Sequence, residues 1–370
     1  MQQVTDLHRK AMELASTAHL ERIRGRSAQA HDLICEASQR EREAACLVKD
    51  MTELEPTRSV LFRSAASLAV ECNELREAER LIAWGLAGNP PEEIADELRD
   101  LLEQVNFERH LSLRGMTLRP DEFQLSMSGP AVGNGLAQSD EFTGRVQSLQ
   151  KLVYRTAARV MQLPYCERGP DKKVRKEMEV FLSVPRAACF AVSFRLGGLH
   201  QPKLPGQDLG KDVIDEVFDC IDLLNTSSYG ALRKRFAEEA YYTNFVSLTH
   251  SIRPDGNRVK RVGLTSLRQD AERRVVLSEG RQREGEDIDQ HIEVAEEQAE
   301  EIKGMLLVAD AYRESNEYIV VVDAEQRKQR VRVPTGMMGD IVRPLFEYEV
   351  VVRGKRAGKY LLLEDIRKAE

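Results

Sequence analysis

The glycine-rich stretch "SGPAVGNGLAQSD" (128–140) stands between a segment of strand character and one of helix character. A backbone of this kind presents N–H groups to an anion. Gly133 and Gly135 are therefore candidate phosphate-cradling positions. In the helix that should follow, Lys151, Arg155 and Arg159 recur every four residues and share one face. Lys172 and Lys173 follow in a basic run, and Tyr154 and Tyr165 lie close in sequence. Cations interleaved with aromatic rings suit phosphates and stacked bases. The central region thus predicts a nucleic-acid or nucleotide site. The plainer reading is a solvated or internally paired face, because the chain supplies acids of its own.

Catalytic signatures are weaker. No Lys-Ser/Thr follows the glycines, so they form no Walker A loop, and GxGxxG is absent as well. A tight connection explains them equally. Arg195 and His200 have the Arg-x4-His spacing of HEPN ribonucleases, but "RLGGLH" contains two glycines and should not be helical. Asp255, Glu301 and Lys303 loosely imitate a PD…ExK nuclease, with a long gap and no second acid. The histidines form no HxH or HExxH, GxSxG is absent, and the six cysteines make no CxxC. Most of Cys35, Cys46, Cys72, Cys166, Cys189 and Cys220 lie among apolar residues, as in "LICEA" and "AACFAV", and the six read as buried, reduced cysteines acting as small hydrophobes. No residue is assigned as catalytic, cofactor-binding or metal-binding, and no cofactor is called for. An unrecognised nuclease is the remaining enzymatic reading.

The chain has 370 residues, a net charge of −7, 42% hydrophobic and 31% charged residues, and a mean hydropathy of −0.44. These values fit several globular domains rather than a disordered chain. No apolar run can span a bilayer. The N-terminus lacks the apolar stretch of a signal peptide, so a cytoplasmic location is expected. Acids outnumber bases over 1–110, bases outnumber acids over 142–200, and 279–302 is strongly acidic.

Four parts should position these residues. Residues 1–107 read as all-helical, with apolar positions at three- and four-residue spacing. Within them "REAACLVKDMTELEP" and "REAERLIAWGLAGNP" match at an offset of 34: Arg42/Arg76, Glu43/Glu77, Ala44/Ala78, Leu47/Leu81, Pro56/Pro90. The second copy, with Phe62, Ala65, Ala66 and Ala69 before Ala78, Ile82, Gly85 and Pro90, resembles a tetratricopeptide repeat. The first keeps only Ala44, Val48 and Pro56 and lacks a turn residue before its second helix. The resemblance implies a stack of helical hairpins that binds a protein partner, with Phe62, Arg76, Arg80 and Trp84 as candidate contacts. The same helices could equally form a plain scaffold.

Residues 108–278 read as an α+β domain, with strands at 109–118 and 122–129, a helix from 139, and a hairpin around "RPDGN". Residues 279–302 read as an acidic linker or solvated helix. Residues 303–370 read as five short strands, the rhythm of a small SH3-like or OB-like β-barrel, with Met337 and Met338 plugging one end. The fold class expected is thus multidomain α+β. The leading functional expectation is a non-enzymatic adaptor or regulatory subunit. The alternative is a nucleic-acid- or nucleotide-binding component. The layout resembles bacterial proteins of defence or toxin-type systems, though no motif carries that likeness.

Overall fold

The computed structural model describes residues 2–111, 118–133, 136–183, 190–197, 208–269, 271–277, 299–310, 317–357 and 360–369. The chain divides into two compact units, Met1–Arg114 and Gly115–Glu370.

In the first unit five helices follow one another: α1 (Gln2–Ile23), α2 (Ser27–Leu47), α3 (Thr57–Glu71), α4 (Leu75–Leu86) and α5 (Glu92–Leu111). Each packs on the next, and α3 also meets α5. Small residues set these spacings. Ala11 and Ala18 of α1 and Ala30, Ala37, Ala44 and Ala45 of α2 are fully buried, which brings the helix backbones close. Gly85 does the same for α4, because a Cβ there would come within 2.9 Å of Leu98 and 3.2 Å of Phe62. Asn73, with φ of 60°, ends α3 and turns the chain into α4. Buried Arg58 donates to the carbonyls of Lys49 and Trp84, at 2.7 and 2.6 Å, so it satisfies two helix ends at once.

The second copy of the 34-residue pattern is therefore a helical hairpin, α3–α4. The first copy is not. Residues 27–47 form a single helix, because "SQREREAA" contains neither proline nor glycine to break it. The strand expected from 109 is also partly helix, since Val105, Phe107 and Leu111 continue the buried face of α5.

One carboxylate in this unit is buried at a cost. Glu41 on α2 is completely buried, and His8 Nδ1 of α1 lies 2.9 Å from both its oxygens. Burial pushes the Glu41 carboxyl above its ordinary value, and the pairing with His8 opposes that shift only in part. The native state therefore holds this proton more tightly than the unfolded chain does. Stability of the unit should fall as pH rises through the interval above the ordinary glutamate range. Denaturant unfolding of the wild type between pH 5 and 7 should show this slope, and Glu41→Gln should flatten it.

The second unit begins with β1 (Glu122–Ser128), a short hairpin β2 (Val132–Gly133) and β3 (Leu136–Ala137), then α6 (Ser139–Val160) and α7 (Lys172–Glu177). It continues with β4 (Val180–Leu182), β5 (Phe190–Leu196), α8 (Leu209–Asn225), α9 (Tyr229–Arg233), α10 (Glu239–Ile252), β6 (Arg261–Arg268) and β7 (Ala271–Leu277). Five strands form an antiparallel sheet in the order β4-β5-β1-β6-β7. Phe123, Leu125 and Met127 alternate on one face of β1, in register with Val192 and Phe194 of β5 and Val262 and Leu264 of β6. These residues join one hydrophobic core with Leu149 and Leu152 of α6, Val217 and Ile221 of α8 and Phe245 and Leu248 of α10.

Residues 229–252 form two helices, α9 and α10, and Phe236 between them packs against Tyr242 and Phe245. One local expectation changes. The Pro-Asp-Gly turn does not join two strands. Asp255 there accepts the backbone N–H groups of Asn257, Arg258 and Val259, and the hairpin itself is β6–β7.

The last strands are β8 (Ala299–Asp310), β9 (Tyr318–Val322), β10 (Lys328–Arg332), β11 (Glu349–Ala357) and β12 (Tyr360–Lys368). β8 pairs with β9 and β11, β9 with β10, and β11 with β12, all antiparallel. β10 pairs with β12 in parallel, which closes the five-stranded sheet on itself. Residues 299–302 of the acidic stretch lie in β8 rather than in a linker or helix, and 278–298 lie outside the described residues. Ile319, Val321, Val331, Val350, Val352 and Leu361 point inward. The central domain and the barrel, expected as separate domains, share one continuous core through Met337, Met338, Ile341 and Val342. These four residues lie in the connection between β10 and β11, which contains one π-helical turn, Met338–Val342.

Candidate nucleic-acid interface

Cations on alternate residues of a strand all face one way. Strand β10 reads Lys-Gln-Arg-Val-Arg, so Lys328, Arg330 and Arg332 stand outward while Val331 enters the barrel core. Their cross-strand partners on β9 are Val322, Val320 and Tyr318. On the other side β12 contributes Tyr360 and Leu362, which are 48% and 40% exposed. The Arg330 guanidinium lies 3.6 Å from the centre of the Tyr318 ring and 5.8 Å from that of Tyr360. Beyond β9, Met305, Leu307 and Val308 of β8 are also solvent-facing. A β-bulge at Leu306/Val308 turns Leu307 and Val308 outward. Of fourteen large exposed hydrophobic side chains among the described residues, seven lie between Met305 and Leu362.

The charges here are arranged unevenly. Arg327 is held by Asp323 and Glu325, Lys355 by Glu364, and Arg356 by Glu300. Lys328 and Arg330 have no carboxylate partner among the described residues. Arg330 is exposed and instead lies over the tyrosine ring. An aromatic face, a stacked guanidinium and an unpaired ammonium can together hold a base by stacking and a phosphate by charge.

The residues singled out in the central region are placed differently. Gly133 pairs with Leu136 in the β2–β3 hairpin, and Gly135 lies outside the described residues. Lys151, Arg155 and Arg159 do share a face of α6, but that face is turned inward. Lys151 Nζ donates to the Asp340 carbonyl at 2.8 Å, and burial lowers its pKa from the ordinary lysine value. The Arg155 side chain, 4% exposed, pairs with the Asp340 carboxylate at 2.6 Å and covers the Tyr165 ring. Arg159 pairs with Glu216 and covers Phe236. Tyr165 is likewise committed, since its hydroxyl donates to Gly336 O and burial pushes its phenol up. Glu167 completes this joint by accepting the N–H groups of Gly336 and Gly339. The basic face is therefore the clasp that holds the β10–β11 connection against α6 and α10. Lys172 and Lys173 are exposed on α7, with Lys173 3.9 Å from Glu177.

In the helical unit Phe62 is completely buried, so it supports the fold rather than facing a partner. Trp84 lies against it edge-on at 6.1 Å and is half-buried, with Lys49 Nζ 3.9 Å above its ring. Arg76 and Arg80 are exposed on the same side of α4, and Arg80 pairs with Glu77.

The nuclease-like residues do not assemble. Asp255 is held by Arg145 and by its own turn, whereas Glu301 and Lys303 stand on β8, and His200 lies outside the described residues. Among the described residues no three His, Cys, Asp or Glu side chains cluster to hold a metal, and no helix is long and apolar enough to cross a membrane. The sequence reading overlooked Lys328, Arg330, Tyr318 and Tyr360. The signal that finds them is the two-residue period of "KQRVR" beside strands that each begin with tyrosine.

No family model matches the chain, and comparison with curated proteins and with solved structures returned no match.

Proposed function

We propose that this protein binds single-stranded nucleic acid through the outer face of strands β9, β10 and β12. The observation that carries the proposal is Arg330, stacked on Tyr318, unpaired with any acid among the described residues and flanked by exposed Tyr360 and Lys328. The strand arrangement supports reading the barrel as OB-like rather than SH3-like. The third strand pairs in parallel with the fifth, the first pairs with the fourth, and a helical turn lies between the third and fourth. In OB barrels the second and third strands form the face that takes oligonucleotides, and those strands here are β9 and β10.

The second reading is the adaptor. The line of Arg76, Arg80 and Trp84 along α4 favours it, because tryptophan and arginine dominate energetically important protein contacts. The α3–α4 hairpin supports a tetratricopeptide-like reading of this unit, although the first copy of the pattern is one helix.

One experiment separates the two. Fluorescent single-stranded oligonucleotides are titrated with the full chain at low and moderate salt, alongside capture of proteins from host lysate treated with nuclease. Tyr318→Ala should weaken oligonucleotide binding by about 5- to 160-fold, corresponding to about 1–3 kcal/mol for one stacked base. Arg330→Ala and Lys328→Ala should each flatten the salt dependence. Wild-type protein without affinity for any oligonucleotide would end the first reading. A stoichiometric protein partner, lost on Arg76→Glu/Arg80→Glu and retained by Tyr318→Ala, would establish the second.

A further inference from the structure

Two cysteines distant in sequence meet in the helical unit. Cys35 lies on the outward part of α2 and is half-exposed, whereas Cys72 caps the C-terminus of α3 and is buried. Both belong to one small apolar cluster, with Ile34, Ala37 and Leu68 around them and Ala18 of α1 above. Cys35 packs from α2 against the cluster that contains Cys72 of α3, so the two thiols share one apolar site across the α2–α3 interface. One turn before Cys35 on the same helix, the His31 imidazole places Nε2 3.6 Å from the Cys35 sulfur. The site therefore pairs a reachable thiol that has a proton acceptor with a second thiol that solvent cannot reach. Plain packing cysteines need no such arrangement.

We propose that Cys35 and Cys72 form a reversible thiol–disulfide pair, in which Cys35 is attacked first by a peroxide and Cys72 then resolves it. In the first step His31 accepts the Cys35 proton, and the thiolate sulfur attacks one peroxide oxygen. The O–O bond breaks, the sulfur becomes a sulfenic acid, and the other oxygen leaves as water with that proton. In the second step the Cys72 sulfur attacks the Cys35 sulfur, the S–OH bond breaks, and the hydroxyl departs as a second water carrying the Cys72 proton. Two thiols are oxidised and one peroxide is reduced to two waters. Burial pushes the Cys72 thiol up to about 12, and with Cys72 buried and Cys35 half-exposed, Cys35 is the thiol that an outside oxidant meets first. The disulfide ties α2 to the end of α3 under α1, so oxidation stiffens the helical stack.

The test uses the reduced full chain treated with hydrogen peroxide, quenched by alkylation and mapped as peptides without reduction. The expected product is a Cys35–Cys72 linked peptide within one chain, reversed by dithiothreitol, with a rise of several degrees in the melting temperature of the helical unit. Cys72→Ser should leave Cys35 trapped as a sulfenic acid that a dimedone-type probe labels. Cys35→Ser should leave Cys72 as a free thiol after the same treatment. His31→Ala should slow loss of the Cys35 thiol several-fold at neutral pH while giving the same product. The proposal is overturned if exposed Cys46 and Cys166 are consumed while Cys35 and Cys72 still alkylate, or if Cys35 links only between chains. Circular dichroism of each variant before oxidation distinguishes these outcomes from misfolding.

Discussion

Replacing Asp340 with alanine is expected to destabilise the second unit by about 3–5 kcal/mol, the usual cost of removing one partner from a buried ion pair. The size follows from what would be stranded. The Asp340 side chain is only 11% exposed, and its carboxylate accepts Arg155 Nε at 2.6 Å and Asn244 Nδ2 at 3.2 Å. Without it the Arg155 guanidinium keeps Cys166 O as a partner but stays buried with an uncompensated charge. The effect should spread, because the same connection carries Met337, Met338, Ile341 and Val342 into the shared core. Far-UV circular dichroism during urea unfolding would report the loss, while Trp84 fluorescence, which belongs to the first unit, should keep its midpoint. An equal shift of both signals would show that the two units unfold together. Charge reversal of Arg155 should likewise act through folding, so weakened nucleic-acid binding in that variant says nothing about a surface contact.

Phe62→Ala is expected to cost about 3–5 kcal/mol in the first unit, as deletion of a fully buried aromatic side chain does. The ring is 0% exposed, packs edge-on to Trp84, and lies under the Arg58 guanidinium at 5.1 Å. Gly85 makes the cavity hard to close. Its missing Cβ already lets α4 sit close to Phe62 and Leu98, so little further collapse is open to it. Here the readout is reversed. Trp84 emission should change and its unfolding midpoint should fall, while oligonucleotide binding by the barrel should stay within about two-fold of wild type at a temperature where the first unit is still folded. Loss of that binding would show that the two units do not act independently.

Much of the architecture was legible because it follows from local patterns. The three-to-four spacing of Phe62, Ala65, Leu68, Ala69 and Cys72 marks α3 whatever surrounds it. The alternation of "EYIVVVDA" and "QRVRVP" marks β9 and β10 in the same way. The 34-residue offset located one real hairpin. It misled for the first copy, since a matching set of side chains does not create a turn where the backbone has no reason to break.

The candidate site was harder to read. Lys151, Arg155 and Arg159 were correctly placed on one helix face, but periodicity cannot say what a face looks at. Asp340 lies 185 residues beyond Arg155, and only folding brings that acid to it. The reverse holds for Arg330 and Tyr360, which are distant in sequence and become neighbours because β10 pairs in parallel with β12. The sequence by itself determined the helices, the strands, their inward faces and the absence of a recognisable catalytic motif, because these depend on side-chain period and local backbone chemistry. Tertiary structure decided which cations are spent and which are free, because charge pairing depends on distance in space.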